Sequence, residues 1–282
     1  MLTSERLRTF TFLLLLAVAG SLCVAPRAHA LGELPIGLDP NSLVSDDIVN
    51  AVVGLIGIGF QHRPYEPATP LGLMVGMDLS VEATLVKIPD SFFATLAANG
   101  AGSASAPIPS LPMARLHLHK GFGEFVDLGG SALVILGNKI LGGDAKVVFL
   151  QGEEGPTYAF RFCYTYVDLS FSGVNVSTKT YAPQLLMSRQ MDFADPFLGV
   201  GLEYSTGALD GSRTPDAPAG VVLPPGVTMP TVTIHKTGIA YGGQVFGGVS
   251  LRIPRSGLRM TIEGSYNTAG TSTLGLKSGF TF

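Results

Sequence analysis

The sequence predicts an all-β fold: a transmembrane antiparallel β-barrel of about ten strands, preceded by a short amino-terminal helical segment. Three observations carry that prediction. Only 14% of the 282 residues are charged and the mean hydropathy is +0.38, whereas soluble domains carry about 25% charged residues, so much of this surface must be apolar. Past the first thirty residues, no segment approaches the run of about 18 apolar residues that marks a spanning helix, and the longest candidate is residues 51–60. Stretches of apolar–polar alternation recur down the chain instead. Lipid contact without spanning helices leaves a closed barrel, because an open sheet edge would strand backbone groups in hydrocarbon.

Residues 1–30 read as an export signal: Arg6 and Arg8 at a basic start, an apolar core over 10–20, and the small-x-small cleavage site Ala28-His29-Ala30. The expected mature chain starts at Leu31. Leu22, directly before Cys23, is larger than a lipidation site accepts. Cleavage leaves Cys163 as the one cysteine, so no internal disulfide is expected. Losing Glu5, Arg6, Arg8 and Arg27 leaves 15 basic against 20 acidic residues. That acidic balance, with no basic cluster, excludes nucleic acid as an expected partner.

Residues 31–71 are expected as a periplasmic or plug segment ahead of a barrel over 72–282. Ser45 suits a helix N-cap and Asp46 and Asp47 suit its first turn, so the apolar stretch 48–60 is expected to be helical despite Gly54, Gly57 and Gly59. A helix apolar nearly all round needs covering. It is expected to plug the lumen or to pack under the periplasmic mouth, with a membrane-surface helix as the alternative.

Strands are expected at 72–86, 113–120, 125–136, 139–150, 157–169, 174–190, 196–206, 240–253, 257–267 and 272–282. In the first, Leu73, Val75, Met77, Leu79, Val81, Ala83 and Leu85 share one face, and Asp78, Ser80, Glu82 and Thr84 the other. A one-residue slip would put both carboxylates in lipid, so the register is strongly specified. In the fifth, Tyr158, Phe160, Phe162, Tyr164 and Tyr166 oppose Arg161, with Tyr158 and Tyr166 expected at the two interfaces. The sixth is the weakest, since Pro183 removes a ladder donor. Ten is even, as single-chain bacterial barrels require. With a periplasmic amino end, both long connections, 87–112 and 207–239, follow odd-numbered strands and face outside. Phe92 and Phe93 are expected to begin a short helix in the first, and 232–236 to extend the eighth strand.

This register sends Asp78, Glu82, Asp127, Asp144, Glu203 and Glu263 into the lumen, with Arg115, Lys146, Arg161, Arg252, Arg259 and Lys277. Equal numbers of acids and bases favour ion pairs across a closed or gated lumen over a wide selective pore. His117 and His119 also point inward. A His-x-His pair can bind a metal, or supply a general base beside a serine and a carboxylate, but a metal needs further ligands. His62 and His235 lie outside the expected strands and are not obvious partners. Simple polar lining is therefore the expected role, with no metal or cofactor. No Gly-x-Ser-x-Gly, His-Glu-x-x-His or phosphate loop occurs, so an enzyme is not expected.

The signal end, the alternating strands and the final run 273–282 resemble those of single-chain outer-membrane β-barrel proteins of Gram-negative bacteria. That resemblance implies an outer-membrane location, with outer-membrane lipid, periplasmic chaperones and the barrel assembly machinery as partners. It also implies that the machinery reads Phe280 and Phe282, which share a face with Leu274 and Leu276 that Ser278 interrupts. Within 142–205, the runs Gly142-Gly143-Asp144-Ala145-Lys146 and Phe160-Arg161-Phe162 look like an uncharacterised porin-like family, which implies no agreed activity. The expected function is a gated channel or transporter for small or hydrophobic molecules. A closed structural or adhesion barrel and an outer-membrane enzyme are the alternatives, and the cargo is left open.

Overall fold

The computed structural model describes residues 45–72, 76–98, 110–135, 138–152, 155–171, 174–213, 232–253 and 256–282. The expected signal and mature start lie outside them. Ten antiparallel strands follow in order: β1 (Met77–Lys87), β2 (Ser110–Phe122), β3 (Val126–Ile135), β4 (Asn138–Gln151), β5 (Pro156–Phe171), β6 (Val174–Arg189), β7 (Ala194–Arg213), β8 (Val232–Arg252), β9 (Leu258–Asn267) and β10 (Ser272–Thr281). Each pairs with its neighbours in sequence, and β1 pairs with β10, so the sheet closes on itself. Phe282 and Met77 exchange two backbone hydrogen bonds at the seam, of 2.8 and 3.3 Å. Closure removes the open edges that hydrocarbon would not tolerate.

The all-β class and the strand count agree with the sequence reading; three details differ. β1 begins at Met77 rather than at 72, because Gly72 and Gly76 take φ of +100° and +48° and turn the chain instead of extending it. Leu73 and Val75 fall outside the described residues. The connection expected over 207–239 shrinks to 214–231, since Gly207–Arg213 pairs with Val232–Gly238. Residues 207–213 have a turn-like composition, but pairing satisfies their backbone, and 232–236 do extend β8. Finally, Pro183 sits within an unbroken β6. It pairs with Phe162 of β5, while the pairing to β7 skips from Tyr181–Tyr204 to Gln184–Gly201. The donor that proline lacks therefore costs one ladder, not the strand.

Alternation sorts the two faces. Leu79, Leu116, Leu118, Phe149, Leu185, Leu202 and Tyr241 stand exposed on the outside. Tyr164, Tyr181, Tyr204 and Tyr241 are directly paired across β5 to β8 and form a continuous outer row, with ring centroids 5.3, 6.3 and 5.1 Å apart. In the next outward row polar Lys179 and Thr206 stand between Tyr166 and Ile239, and Thr237 follows beyond it. At the opposite end Phe122, Phe125, Phe193 and Phe282 are exposed. An apolar band between two aromatic borders is the exterior of a barrel that crosses a bilayer. Tyr166 lies one outward position past the tyrosine row, and Tyr158 stacks on Phe149 at 6.4 Å. Among the described residues no helix is long and apolar enough to cross a membrane.

Cys163 faces the lumen and is fully buried. Maleimide applied to the folded barrel is expected to leave Cys163 unlabelled, and to label it fully after heating in SDS, with the site read by peptide mapping. Rapid labelling of the native protein would mean that β5 is inverted in register.

Helix α1 (Asp46–Gly59) lies inside the barrel. Ser45 caps it by accepting a hydrogen bond from the Ile48 amide at 3.3 Å. Its side chains Ile48, Val49, Val52, Val53 and Leu55 pack with Ile88, with Phe92 of helix α2 (Asp90–Ala98), and with Val176 and Leu209 of the wall. These wall residues sit at the end of the barrel that carries both long connections. The helix thus fills the lumen near that end and does not lie on the outer apolar surface. Gly57 makes the fit possible: a Cβ there would lie 1.8 Å from Ser205 Oγ and 2.8 Å from Ser205 Cβ. Residues 60–71 continue through the lumen to the opposite end, where the Leu71 amide meets the Asp127 carboxylate.

Candidate functional site: the lumenal plug and its histidine cluster

Residues 61–69 have no periodic pattern, and all of them are buried. Buried polar groups need partners, and the barrel wall supplies them. Glu66 is the hub. Its carboxylate lies 3.1 Å from Lys277 Nζ, 3.4 Å from Nδ1 of His119 and 3.7 Å from Lys146 Nζ. Each lysine holds a second carboxylate, Lys146 that of Asp127 at 2.8 Å and Lys277 that of Asp78 at 3.2 Å. Burial alone would raise the Glu66 carboxyl, but His119, Lys277 and Lys146 together hold it below the ordinary range.

The wall also reads the plug's backbone. Lys146 donates to the carbonyls of Pro67 and Thr69 at 3.0 and 2.9 Å, and Arg115 to those of Phe60 and Gln61 at 2.8 and 3.0 Å. Arg161 bonds Gln184 at 2.7 Å, reaches the Glu66 carbonyl at 3.4 Å and lies over the Phe246 ring. Arg63 turns back onto the Ile58 and Gly59 carbonyls, satisfying acceptors that the end of α1 leaves open. The Tyr65 hydroxyl lies 2.5 Å from Thr84 Oγ1, which in turn bonds Glu82.

At mid-depth three histidines meet. His62 of the plug faces His117 and His119 of β2, with ring centroids 5.4 to 6.2 Å apart. Each ring has a carboxylate on Nε2: His62 and His119 share Asp144 at 2.8 and 3.1 Å, and His117 meets Glu82 at 2.6 Å. His62 Nδ1 lies 2.7 Å from Ser131 Oγ. Nδ1 of His117 and of His119 have no hydrogen-bond partner among the described residues. Burial lowers the His62 pKa, against the pull of Asp144, so its ring is neutral at neutral pH.

The sequence-predicted site residues fall as follows. Asp78, Glu82, Arg115, His117, His119, Asp127, Asp144, Lys146, Arg161, Glu203, Arg259, Glu263 and Lys277 are all buried inside the barrel. Arg252 stays on the inward face of β8 but sits at the rim, where its half-exposed side chain pairs with Asp195 at 2.9 Å. Both carboxylate oxygens of Glu203 and Oε2 of Glu263 lack a partner among the described residues. Phe280 and Phe282 lie outside, their rings 6.5 Å apart. His235 is remote from the cluster and pairs with Asp210 at the surface. The expectation that His62 is no partner of His117 and His119 is overturned, because an aperiodic segment gives no clue to its depth. Glu66, Arg63 and Tyr65 were missed for the same reason. Their one legible signal was the crowding of ionisable residues over 62–66 in a charge-poor chain.

Ser131, His62 and Asp144 line up as hydroxyl, imidazole and carboxylate, the order of a nucleophile relay. All three are buried, and the groove of about 580 Å³ in the outer wall, lined by Tyr181, Pro183, Leu202, Glu203 and Tyr241, does not touch them. These bonds join His62 of the plug to β3 and β4 of the wall.

No protein-family model matches the sequence, and no curated protein matches it. Among solved structures the chain is similar to Neisserial surface protein A, at 12% identity and a TM-score of 0.32, over 73% of this chain and 97% of that one. It is similar to the KdgM porin at 11% identity and a TM-score of 0.32, over 72% and 99% of the two chains. The third is Ail, the attachment invasion locus protein of Yersinia pestis, at 10% identity and a TM-score of 0.29, over 73% and 97%.

Proposed function

We propose that this protein is an outer-membrane barrel held shut by its own residues 45–71, and that it acts as a gated channel or transporter for small or hydrophobic molecules. The observation that carries this reading is the Glu66 network, in which lumenal charges of the wall are committed to the plug. A polar contact of this kind suits a removable part. Carboxylates, ammonium groups and carbonyls can exchange protein partners for water when the plug shifts, whereas an apolar seam would have to expose hydrophobic surface. Insertion by the assembly machinery through the strand ending at Phe282, and the orientation with both long connections outside, belong to the same proposal. The apolar outer band and its aromatic borders support the membrane location that this proposal requires.

Single-channel recording in planar bilayers tests the reading. The full chain is expected to be closed with rare openings, and a variant lacking residues 45–71 to conduct steadily. Silence from both would overturn the channel reading in favour of a closed barrel that displays its long connections, which the complete pairing around Glu66 also suits.

A further inference from the structure

We propose that His62, His117 and His119 bind a divalent transition-metal ion, zinc by preference, that staples the plug to the barrel wall. One ring nitrogen from each of the three lies within 4.8 Å of the other two, and all three residues are buried. Nitrogens bound to one tetrahedral zinc at 2.0–2.1 Å stand about 3.4 Å apart, so side-chain rotations of about an ångström close the set.

The surroundings match what metal-binding imidazoles need. A ligating histidine donates its other ring N–H to a carboxylate, which fixes the tautomer and raises the basicity of the free nitrogen. Here Glu82 and Asp144 occupy Nε2 of all three rings. Each Nδ1 is left as a lone pair. Two of these have no hydrogen-bond partner among the described residues, although Glu66 Oε1 stands 3.4 Å from that of His119, and the third meets only a serine hydroxyl. A buried imidazole nitrogen without a partner is costly, and a metal ion would satisfy both.

The wall is also shaped for these rings. A Cβ on Gly142 would lie 2.5 Å from His62 Cβ, and one on Gly129 would lie 1.8 Å from His119 Cδ2. Glu66, whose Oε1 stands on the Nδ1 side of His119, can supply the fourth ligand. Three carboxylates around the rings, those of Glu66, Glu82 and Asp144, give the pocket the negative charge that a dication requires. Because one ligand comes from the plug and two from β2, the bound ion adds a coordinate link across the gate. The proposal rests on the plug being seated in the lumen.

The test uses the full chain refolded in detergent with Zn(II) or Co(II), freed of loose metal and analysed by elemental mass spectrometry and visible absorption. A single ion per chain is expected, with the d–d bands of tetrahedral Co(II). His62→Ala, His117→Ala and His119→Ala are each expected to abolish stoichiometric binding, and His235→Ala to leave it intact. Asp144→Asn and Glu82→Gln should weaken binding by about 10–100-fold. Heat-shifted gel mobility checks folding, and His62→Ala decides the matter if the β2 variants fail to fold, since His62 lies outside every strand. Substoichiometric metal in the wild-type protein, or binding that survives all three histidine replacements, would overturn the site. Neither result bears on whether removing residues 45–71 opens the barrel, so the two readings fail separately.

Discussion

Replacing Glu66 with alanine is expected to loosen the plug while the barrel stays closed as a cylinder. Removing one member of a buried ion pair costs about 3–5 kcal/mol, because its partner is left charged and under-satisfied. Glu66 serves Lys146, Lys277 and His119 together, but Lys146 keeps Asp127 and two carbonyls, and Lys277 keeps Asp78. The loss therefore belongs at the lower end, about 3 kcal/mol, which shifts the seating equilibrium by about two orders of magnitude. Hydrogen exchange over residues 60–71 should rise by that factor while the strand amides stay protected, and openings in planar bilayers should become frequent. Unchanged exchange in the plug would sink the idea that Glu66 holds it.

Gly57→Leu attacks the other half of the plug. A leucine at this position cannot be housed, because even its Cβ would press on Ser205 Cβ at 2.8 Å and on Thr180 Oγ1 at 2.9 Å, both on the barrel wall. Overpacking costs about 1–3 kcal/mol where neighbours can yield, and a paired wall strand yields little. Helix α1 is expected to lift from the lumen, exposing residues 46–59 to protease while gel mobility still reports a folded barrel. Gly54→Ala is the matched control. Its Cβ meets Ala240 Cβ at 3.3 Å, a tight but adjustable contact, and the change favours the helix by about 0.8–1.0 kcal/mol. Protection of α1 in Gly57→Leu equal to that of the wild type would mean that the helix is not held by this close approach.

The two substitutions touch chemically different seams. Around Glu66 the contact is ionic and open to rehydration; at Gly57 it is a close steric approach to Ser205 and Thr180 of the wall, and the rest of α1 packs in the apolar cluster with Phe92 of α2 at the end bearing the long connections. If both variants open the barrel, the whole of 45–71 works as one gate, tied at the bottom by charge and at the top by packing.

Much of this fold was legible in the sequence, for a reason visible at Asp78 and Glu82. Period-two alternation tells each side chain which face it takes, and with lipid on one side an error of register puts a charge in hydrocarbon. Glu263 and Lys277 were placed inward by the same logic and are buried there. The rule weakens where composition misleads. Gly207–Arg213 has the composition of a loop yet pairs with Val232–Gly238, and the pair of positive-φ glycines at 72 and 76 cuts β1 short. Arg252 shows a different limit, since alternation gives the face but not the depth, and this residue is at the rim.

Residues 60–71 were beyond reach because no period governs them. Sequence alone determined a closed, lipid-facing barrel with a polar interior carrying charges of both signs, since each of those properties is written locally, every second residue. Only the tertiary structure decided that the interior is filled, and that His62 meets residues 117, 119 and 144. Those contacts span 55 to 82 positions of chain. They exist because the ring of strands closes around the plug, a relation that no window of neighbouring residues contains.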